Sequence, residues 1–110
     1  MKTLTLEELS ARLASATPPR LVEALPERYY LAGHLPGAIN INIDEVKAKA
    51  PGLLPAKDAP IVVYCASVTC ANSDQVAVQL LALGYGDVAV YKGGKAEWEA
   101  AGRALQAQAA

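Results

Sequence analysis

Ile61-Val62-Val63-Tyr64-Cys65 is an apolar run in which no polar residue interrupts at every second position. A strand that shows one face to water alternates, so a run without alternation reads as a strand buried on both faces of a parallel sheet. Beyond it, Ala66 to Asn72 read as a loop, and a helix is expected from Ser73 to Leu83 with Gly84 as its stop. Val76, Ala77, Leu80, Leu81 and Leu83 are assigned to the inward side of that helix. Cys65 thus stands at the carboxyl end of a buried strand, facing a helix N-terminus across a loop. Backbone N–H groups and the helix dipole favour negative charge there. The thiolate is the reactive form of cysteine, and this setting is expected to lower its pKa from roughly 8.5 toward neutrality. Two readings stand at this point: a nucleophile, and a structural cysteine buried as most free thiols are.

On the amino-terminal side, Thr5-Leu6-Glu7-Glu8 fits a capping box, and Leu6, Leu9 and Leu13 continue it as a helical stripe to about Ser15. Pro18-Pro19 ends that helix and starts a short strand, Leu21 to Ala24. Pro26 to Ala32 reads as a brief helical turn closed by Gly33, and Leu35-Pro36-Gly37 as turn chemistry before the strand Ile39-Asn40-Ile41. Asp44 is expected to cap a helix through Ala50, with Pro51-Gly52 stopping it. On the carboxyl side, Asp87 to Tyr91 is a further strand, and Lys95 to Ala101 a last helical piece carrying Trp98. From Arg103 to Ala110 the chain is Ala/Gln-rich and is expected to fray or to extend that helix. Strands alternating with helices predict an α/β fold with a small, mainly parallel central sheet. Ligands of such sheets sit at the carboxyl ends of the strands, where Cys65 lies.

The 110 residues fit one domain, with no internal repeat and no dividing linker. With 53% apolar residues, the chain has enough material for a packed interior and little tendency to disorder. A net charge of -1 offers no basic footprint for nucleic acid and no polybasic membrane patch. No apolar stretch reaches the length of a membrane span. Met1-Lys2-Thr3-Leu4 lacks the apolar core of a signal peptide, which points to the cytoplasm, where Cys65 and Cys70 stay reduced. Two cysteines and one distant histidine do not make a four-ligand zinc site, so neither metal nor other cofactor is expected.

Three segments give the chain a resemblance to the single-domain rhodaneses, the sulfurtransferase fold. Gly33-His34-Leu35-Pro36-Gly37-Ala38-Ile39-Asn40 follows the family's G-H-[IL]-P-G-A-x-[NH] signature. Ile61 to Cys65 resembles the strand that leads into the catalytic cysteine. Leu83-Gly84-Tyr85 with Val88, then Tyr91-Lys92-Gly93-Gly94 and Trp98, is similar to the closing G-Y-x-x-V…x-G-G-x-x-x-W pattern. Order and spacing agree from about Leu4 to Gly102. The resemblance implies a three-layer α/β/α fold and a persulfide on Cys65, passed to a thiol or cyanide acceptor. The donor is then thiosulfate or a small persulfide, the partner possibilities include a protein persulfide, and the chain is a monomer or a weak homodimer. In the family the histidine of the first motif supports its turn, a role expected here for His34. Trp98 reads as core, and Gly93-Gly94 as a turn or a close approach to the active loop.

The chain departs from the family pattern in two places, and both changes remove positive charge. Rhodanese loops commonly run C-x-x-x-x-R-S, whereas Cys65-Ala66-Ser67-Val68-Thr69-Cys70-Ala71-Asn72-Ser73 contains neither arginine nor lysine. Anchored on the following helix, Asn72 takes the arginine position and the loop is two residues longer. The acidic-x-Arg element after the first strand reads Glu23-Ala24-Leu25. The N–H groups of residues 66 to 72, with the Ser67 and Thr69 hydroxyls, remain as an anion nest, and Lys92 and Lys95 as more distant charges. Cys70 is either a redox partner of Cys65 or a space-filling loop residue. Two other functions are weighed against sulfur transfer. A phosphatase or arsenate reductase needs a guanidinium that the loop lacks. A non-catalytic regulatory or docking module has no need of Cys65. A dithiol oxidoreductase is a further possibility, although the spacing is not C-x-x-C.

Overall fold

The computed structural model describes residues 1–107. Its elements follow the chain as β1 (Lys2–Leu4), α1 (Leu6–Leu13), β2 (Arg20–Glu23), α2 (Glu27–Ala32), β3 (Ile39–Asn40), a 3-10 turn (Ile43–Glu45), α3 (Val46–Leu53), β4 (Ile61–Tyr64), α4 (Asn72–Ala82), β5 (Val88–Tyr91) and α5 (Gly94–Ala100). The strands form one sheet in the order β1-β5-β4-β2-β3, and all four ladders are parallel.

Alternate residues of the central strands feed two cores. On one side Val22, Ile61, Val63, Val88 and Val90 pack with Val46, Ala50 and Leu54 of the α3 region and with Val76, Ala77 and Leu80 of α4. On the other, Leu21, Val62, Tyr64, Ala89 and Tyr91 pack with Leu9 of α1 and Trp98 of α5. The result is the three-layer α/β/α arrangement that the resemblance implies. All four β4 residues are buried, each at about 1.5–3 kcal/mol for an aliphatic side chain, which is why that segment shows no alternation.

The order of the strands sets the site. From β2 the chain moves outward to β3, and from β4 it moves outward to β5, so the winding direction reverses between β2 and β4. At such a switch point the two flanking connections part and leave a crevice at the carboxyl ends of the strands. Cys65 follows β4 at that end, and Ala24 follows β2 beside it, its N–H bonded to the Tyr64 carbonyl at 2.8 Å.

Local signals held at several ends and failed at others. Thr5 Oγ1 accepts from the Glu8 N–H at 3.1 Å while Glu8 Oε1 accepts from the Thr5 N–H at 3.0 Å, the reciprocal capping box. Met1 to Leu4 does not lead straight into a helix: Lys2–Leu4 is a strand, because β5 offers it a ladder partner 87 positions away at Lys2↔Ala89. Asp44 is not a cap. It lies inside the 3-10 turn, where the Glu45 N–H bonds the Asn42 carbonyl at 3.0 Å and Glu45 Oε1 accepts from the Asn42 N–H at 3.1 Å. Nor does Pro51-Gly52 stop α3, which runs through Pro51 to Leu53. Val46, Ala50 and Leu54 are all buried at four-residue spacing, and that packing carries the helix across the proline's missing N–H. Leu81 is 40% exposed rather than inward, since the buried stripe of α4 is Ser73, Val76, Ala77 and Leu80.

Residues 103–107 neither fray nor extend α5. The chain turns back after Gly102, the Trp98 indole N–H donates to the Ala104 carbonyl at 3.0 Å, and Gln106 pairs antiparallel with His34 through two 2.8 Å backbone bonds. Gln106 Oε1 also accepts from the Gly37 N–H at 3.0 Å. The tail expectation for residues 108–110 lies outside the described residues.

Candidate active site

The segment from Cys65 to Ala71 bridges the end of β4 and the start of α4. Within it the Cys70 N–H bonds the Ser67 carbonyl at 3.1 Å, so a tight turn folds residue 70 back toward residue 65. Val68 is 67% exposed at the crest, and Ala66, Thr69 and Ala71 are exposed as well. Cys65 lies beneath them, 2% exposed, with its thiol 3.4 Å from the Cys70 carbonyl oxygen and 3.5 Å from Ser73 Oγ. Ser73 is fully buried in the first turn of α4 and faces the sulfur. Asn72 is the first residue of α4 and half-buried.

The loop is held from below by the segment after β5. The Lys95 N–H donates to the Cys65 carbonyl at 3.1 Å and the Ala96 N–H to the Ala66 carbonyl at 2.9 Å. Such close approach requires glycine at position 94. Its φ is +60°, and a Cβ there would run into the Cys65 carbonyl oxygen and lie 3.0 Å from the Ala66 carbonyl carbon. Of the two expectations for Gly93-Gly94, close approach to the loop is therefore the one realised.

Charge reaches the loop from outside it. Lys92 Nζ lies 3.3 Å from the Cys70 carbonyl oxygen and is held by Asp74 Oδ2 at 2.8 Å. The Asp74 carboxylate, chiefly, holds the Lys92 ammonium above its ordinary pKa, so it stays charged beside both thiols. Lys95 is committed elsewhere. Its Nζ lies 2.8 Å from Glu23 Oε2, an ion pair short of a well-directed hydrogen bond, and donates to the Tyr29 carbonyl at 2.9 Å. Glu23 is fully buried, accepts from the Tyr64 hydroxyl at 2.8 Å, and has its pKa raised by burial against the pull of Lys95 and Tyr64. The Tyr64 hydroxyl in turn accepts from the Leu35 N–H at 3.0 Å, which joins the His34-containing turn to the same network. The acidic-x-Arg element has thus kept its acid and draws its cation from after the Gly-Gly turn.

The structure corrects the expected charge state of Cys65. Burial, chiefly, pushes its thiol above the ordinary cysteine range, and the hydrogen bond to Cys70 adds to this, while Ser73 pulls the other way. For Cys70, which is half-buried, partial burial pushes up as well, but it is outweighed. Hydrogen bonds from the Cys65 thiol and from the Asn72 and Ala66 N–H groups, with the Lys92 charge, bring Cys70 below the ordinary range. The Asn72 and Ala66 N–H groups therefore favour the anionic form of Cys70 rather than that of Cys65. The Ser67 and Thr69 hydroxyls are 3.1 Å apart and hydrogen-bond each other. His34 is 5% exposed, stacks on Tyr30 with ring centroids 3.9 Å apart, and has its Nδ1 2.8 Å from the Tyr30 carbonyl oxygen. These contacts are those of a turn support.

Ser73 and Asp74 were not singled out from the sequence as parts of the site. Glu23 carried a readable signal, a carboxylate directly after the apolar pair Leu21-Val22 at the end of β2.

The family model described as the rhodanese-like domain matches residues 5–101. Among solved structures, a thiosulfate sulfurtransferase from Pseudomonas aeruginosa superposes with a TM-score of 0.84 at 26% identity, over 98% of this chain and 20% of that one. The human single-domain sulfurtransferase TSTD1 superposes at 0.76 and 27% identity, over 91% of this chain and 96% of that one. A curated relative, the HTH-type transcriptional regulator Rv0324 of Mycobacterium tuberculosis, is 37% identical over 82 residues, 74% of this chain and 35% of the regulator. The chain thus spans about a third of that regulator and a fifth of the Pseudomonas protein. No helix among the described residues is long and apolar enough to cross a membrane.

Proposed function

Because the chain belongs to the rhodanese-like domain family, we propose that it is a sulfurtransferase that carries sulfane sulfur as a persulfide on Cys65. The observation that carries the reading is the placement of Cys65 at the switch point of the sheet, under a loop pinned by Gly94 and Lys95. In the first step the Cys65 sulfur attacks the outer sulfur of a donor, forming Cys65–S–S and releasing the donor's remainder. In the second, a thiol or cyanide takes that sulfur and frees Cys65. The Cys65 thiol is oriented by hydrogen bonds to the Cys70 carbonyl oxygen at 3.4 Å and to Ser73 Oγ at 3.5 Å. Small sulfur donors and thiol acceptors, free or protein-borne, are the partners this chemistry asks for, and the reducing cytoplasm is its natural setting.

The reading is tested on the Cys70→Ser chain, whose only thiol is Cys65. Reduced and given glutathione persulfide, it gains the mass of one sulfur, and cyanide removes that sulfur as thiocyanate. The Cys65→Ser chain gains none. Equal cyanide-labile uptake by Cys65→Ser would assign the sulfur elsewhere. A docking module, the alternative that the regulator relative's name suggests, predicts no uptake by either chain.

Thiosulfate is a dianion, and among the described residues the cation that reaches the loop is Lys92, already paired with Asp74. We therefore favour a persulfide as donor. Asn72→Arg, which places a guanidinium on the first turn of α4, is expected to lower the KM for thiosulfate about tenfold through a charge-assisted bond. An unchanged or higher KM would show that residue 72 does not face the donor.

A further inference from the structure

Cys70 lies in the loop between β4 and α4 and, unlike Cys65, is not fully buried. It is half-exposed, and the turn from Ser67 brings its carbonyl to 3.4 Å from the Cys65 sulfur. The Cys65 thiol hydrogen-bonds that carbonyl and Ser73 Oγ, so residue 70 is folded directly against the Cys65 sulfur. Lys92, fixed by Asp74, sits over the Cys70 carbonyl. The loop thus folds a second cysteine over the first, with a fixed ammonium beside it.

We propose that Cys70 is the resolving thiol of a two-cysteine centre that reduces sulfane sulfur to hydrosulfide. The step rests on the reading of Cys65 as the persulfide carrier. The Cys70 thiolate attacks Sγ of Cys65–S–SH, and a bond forms between the two Sγ atoms. The bond from Cys65 Sγ to the outer sulfur breaks, and its electron pair leaves with that sulfur and its proton as HS⁻. Two cysteine sulfurs are oxidised to a disulfide, and one sulfane sulfur is reduced by two electrons to sulfide. A small or protein dithiol then restores the pair by thiol–disulfide exchange. Disulfides need Cα atoms roughly 4.4 to 6.8 Å apart, and the turn that brings the Cys70 carbonyl to 3.4 Å from the Cys65 sulfur folds residue 70 back toward that spacing. The balance between transfer and reduction then depends on whether an external acceptor reaches the outer sulfur before Cys70 reaches the inner one.

The experiment gives the fully reduced chain one equivalent of glutathione persulfide, with no other reductant and without oxygen. The wild-type chain is expected to release about one hydrosulfide per chain, to lose the mass of two hydrogens, and to yield a digest peptide linking Cys65 to Cys70. Cys70→Ser and Cys70→Ala should keep the added sulfur and release hydrosulfide at least about tenfold more slowly. A wild-type chain that holds a stable persulfide overturns the proposal, as does hydrosulfide release from Cys70→Ser at the wild-type rate. Failure of the Cys65 reading has a different signature, uptake by Cys65→Ser. Dilute hydrogen peroxide gives an arm that needs no persulfide. The wild-type chain should stop at the reversible disulfide and Cys70→Ser should proceed to sulfinic acid at Cys65. Equal over-oxidation of the two chains counts against the pair.

Discussion

Lys95→Ala is expected to cost about 3–5 kcal/mol of stability at neutral pH, measured as the shift of the urea midpoint at constant slope. Glu23 is fully buried, and the Lys95 side chain, 12% exposed, is its ion-pair partner. Removing one partner of a buried pair strands the other charge, which costs far more than the intact pair contributes. The pH dependence identifies the cause. Burial already raises the folded-state pKa of Glu23, and loss of Lys95 raises it further. A carboxyl group raised on folding favours the folded state fully below its unfolded pKa of about 4.3. That contribution is lost as pH rises through the folded value. The deficit of Lys95→Ala should therefore be small near pH 4 and grow toward neutrality. A deficit independent of pH would mean that packing, rather than the stranded carboxylate, accounts for it. Removing both charges together, as Glu23→Gln with Lys95→Met, should cost less than Lys95→Ala alone.

Gly94→Ala is expected to lower kcat/KM for sulfur transfer about a hundredfold and to destabilise the fold by about 3–4 kcal/mol. Two effects add. The left-handed backbone at φ +60° strains any residue with a Cβ, and the new methyl would press on the Cys65 carbonyl, the group that receives the Lys95 N–H. Gly102→Ala separates them, since Gly102 has φ +80° and nothing within 4 Å of an added Cβ. That variant reports backbone strain alone, about 1–2 kcal/mol, and should leave transfer unchanged. If the two variants were equally active, the contact between position 94 and the loop would not set the geometry of Cys65.

The central part of this architecture was legible because its signals are local. Ile61–Tyr64 is apolar on both faces, and Thr5 with Glu8 closes a hydrogen-bonded ring within one turn. The misreadings share one cause, a distant partner that overrides local preference. Lys2–Leu4 is a strand only because β5 is there, Pro51 is carried by the packing of its neighbours, and residues 103–107 are ordered by His34 and Gly37. The site divides the same way. Cys65 was placed by the strand that precedes it, and Cys70 was noted as unusual. That the Cys70 carbonyl would meet the Cys65 thiol, and that Lys95 would be spent on Glu23, depends on loop and turn geometry that no spacing encodes.

The ladder between β1 and β5 also has a kinetic consequence. It joins Lys2 to Ala89 and Leu4 to Tyr91, the most widely separated pairing in the sheet. The pairings of β2 with β3, β2 with β4 and β4 with β5 close shorter loops, and closure entropy favours the shorter ones first. On a ribosome β1 and its capped helix must wait for β5, the last strand of the sheet to be made. Until then the β5-facing edge of β4 stays open, with Cys65 at its end, so both thiols of a nascent chain are open to solvent before the loop that governs them has closed.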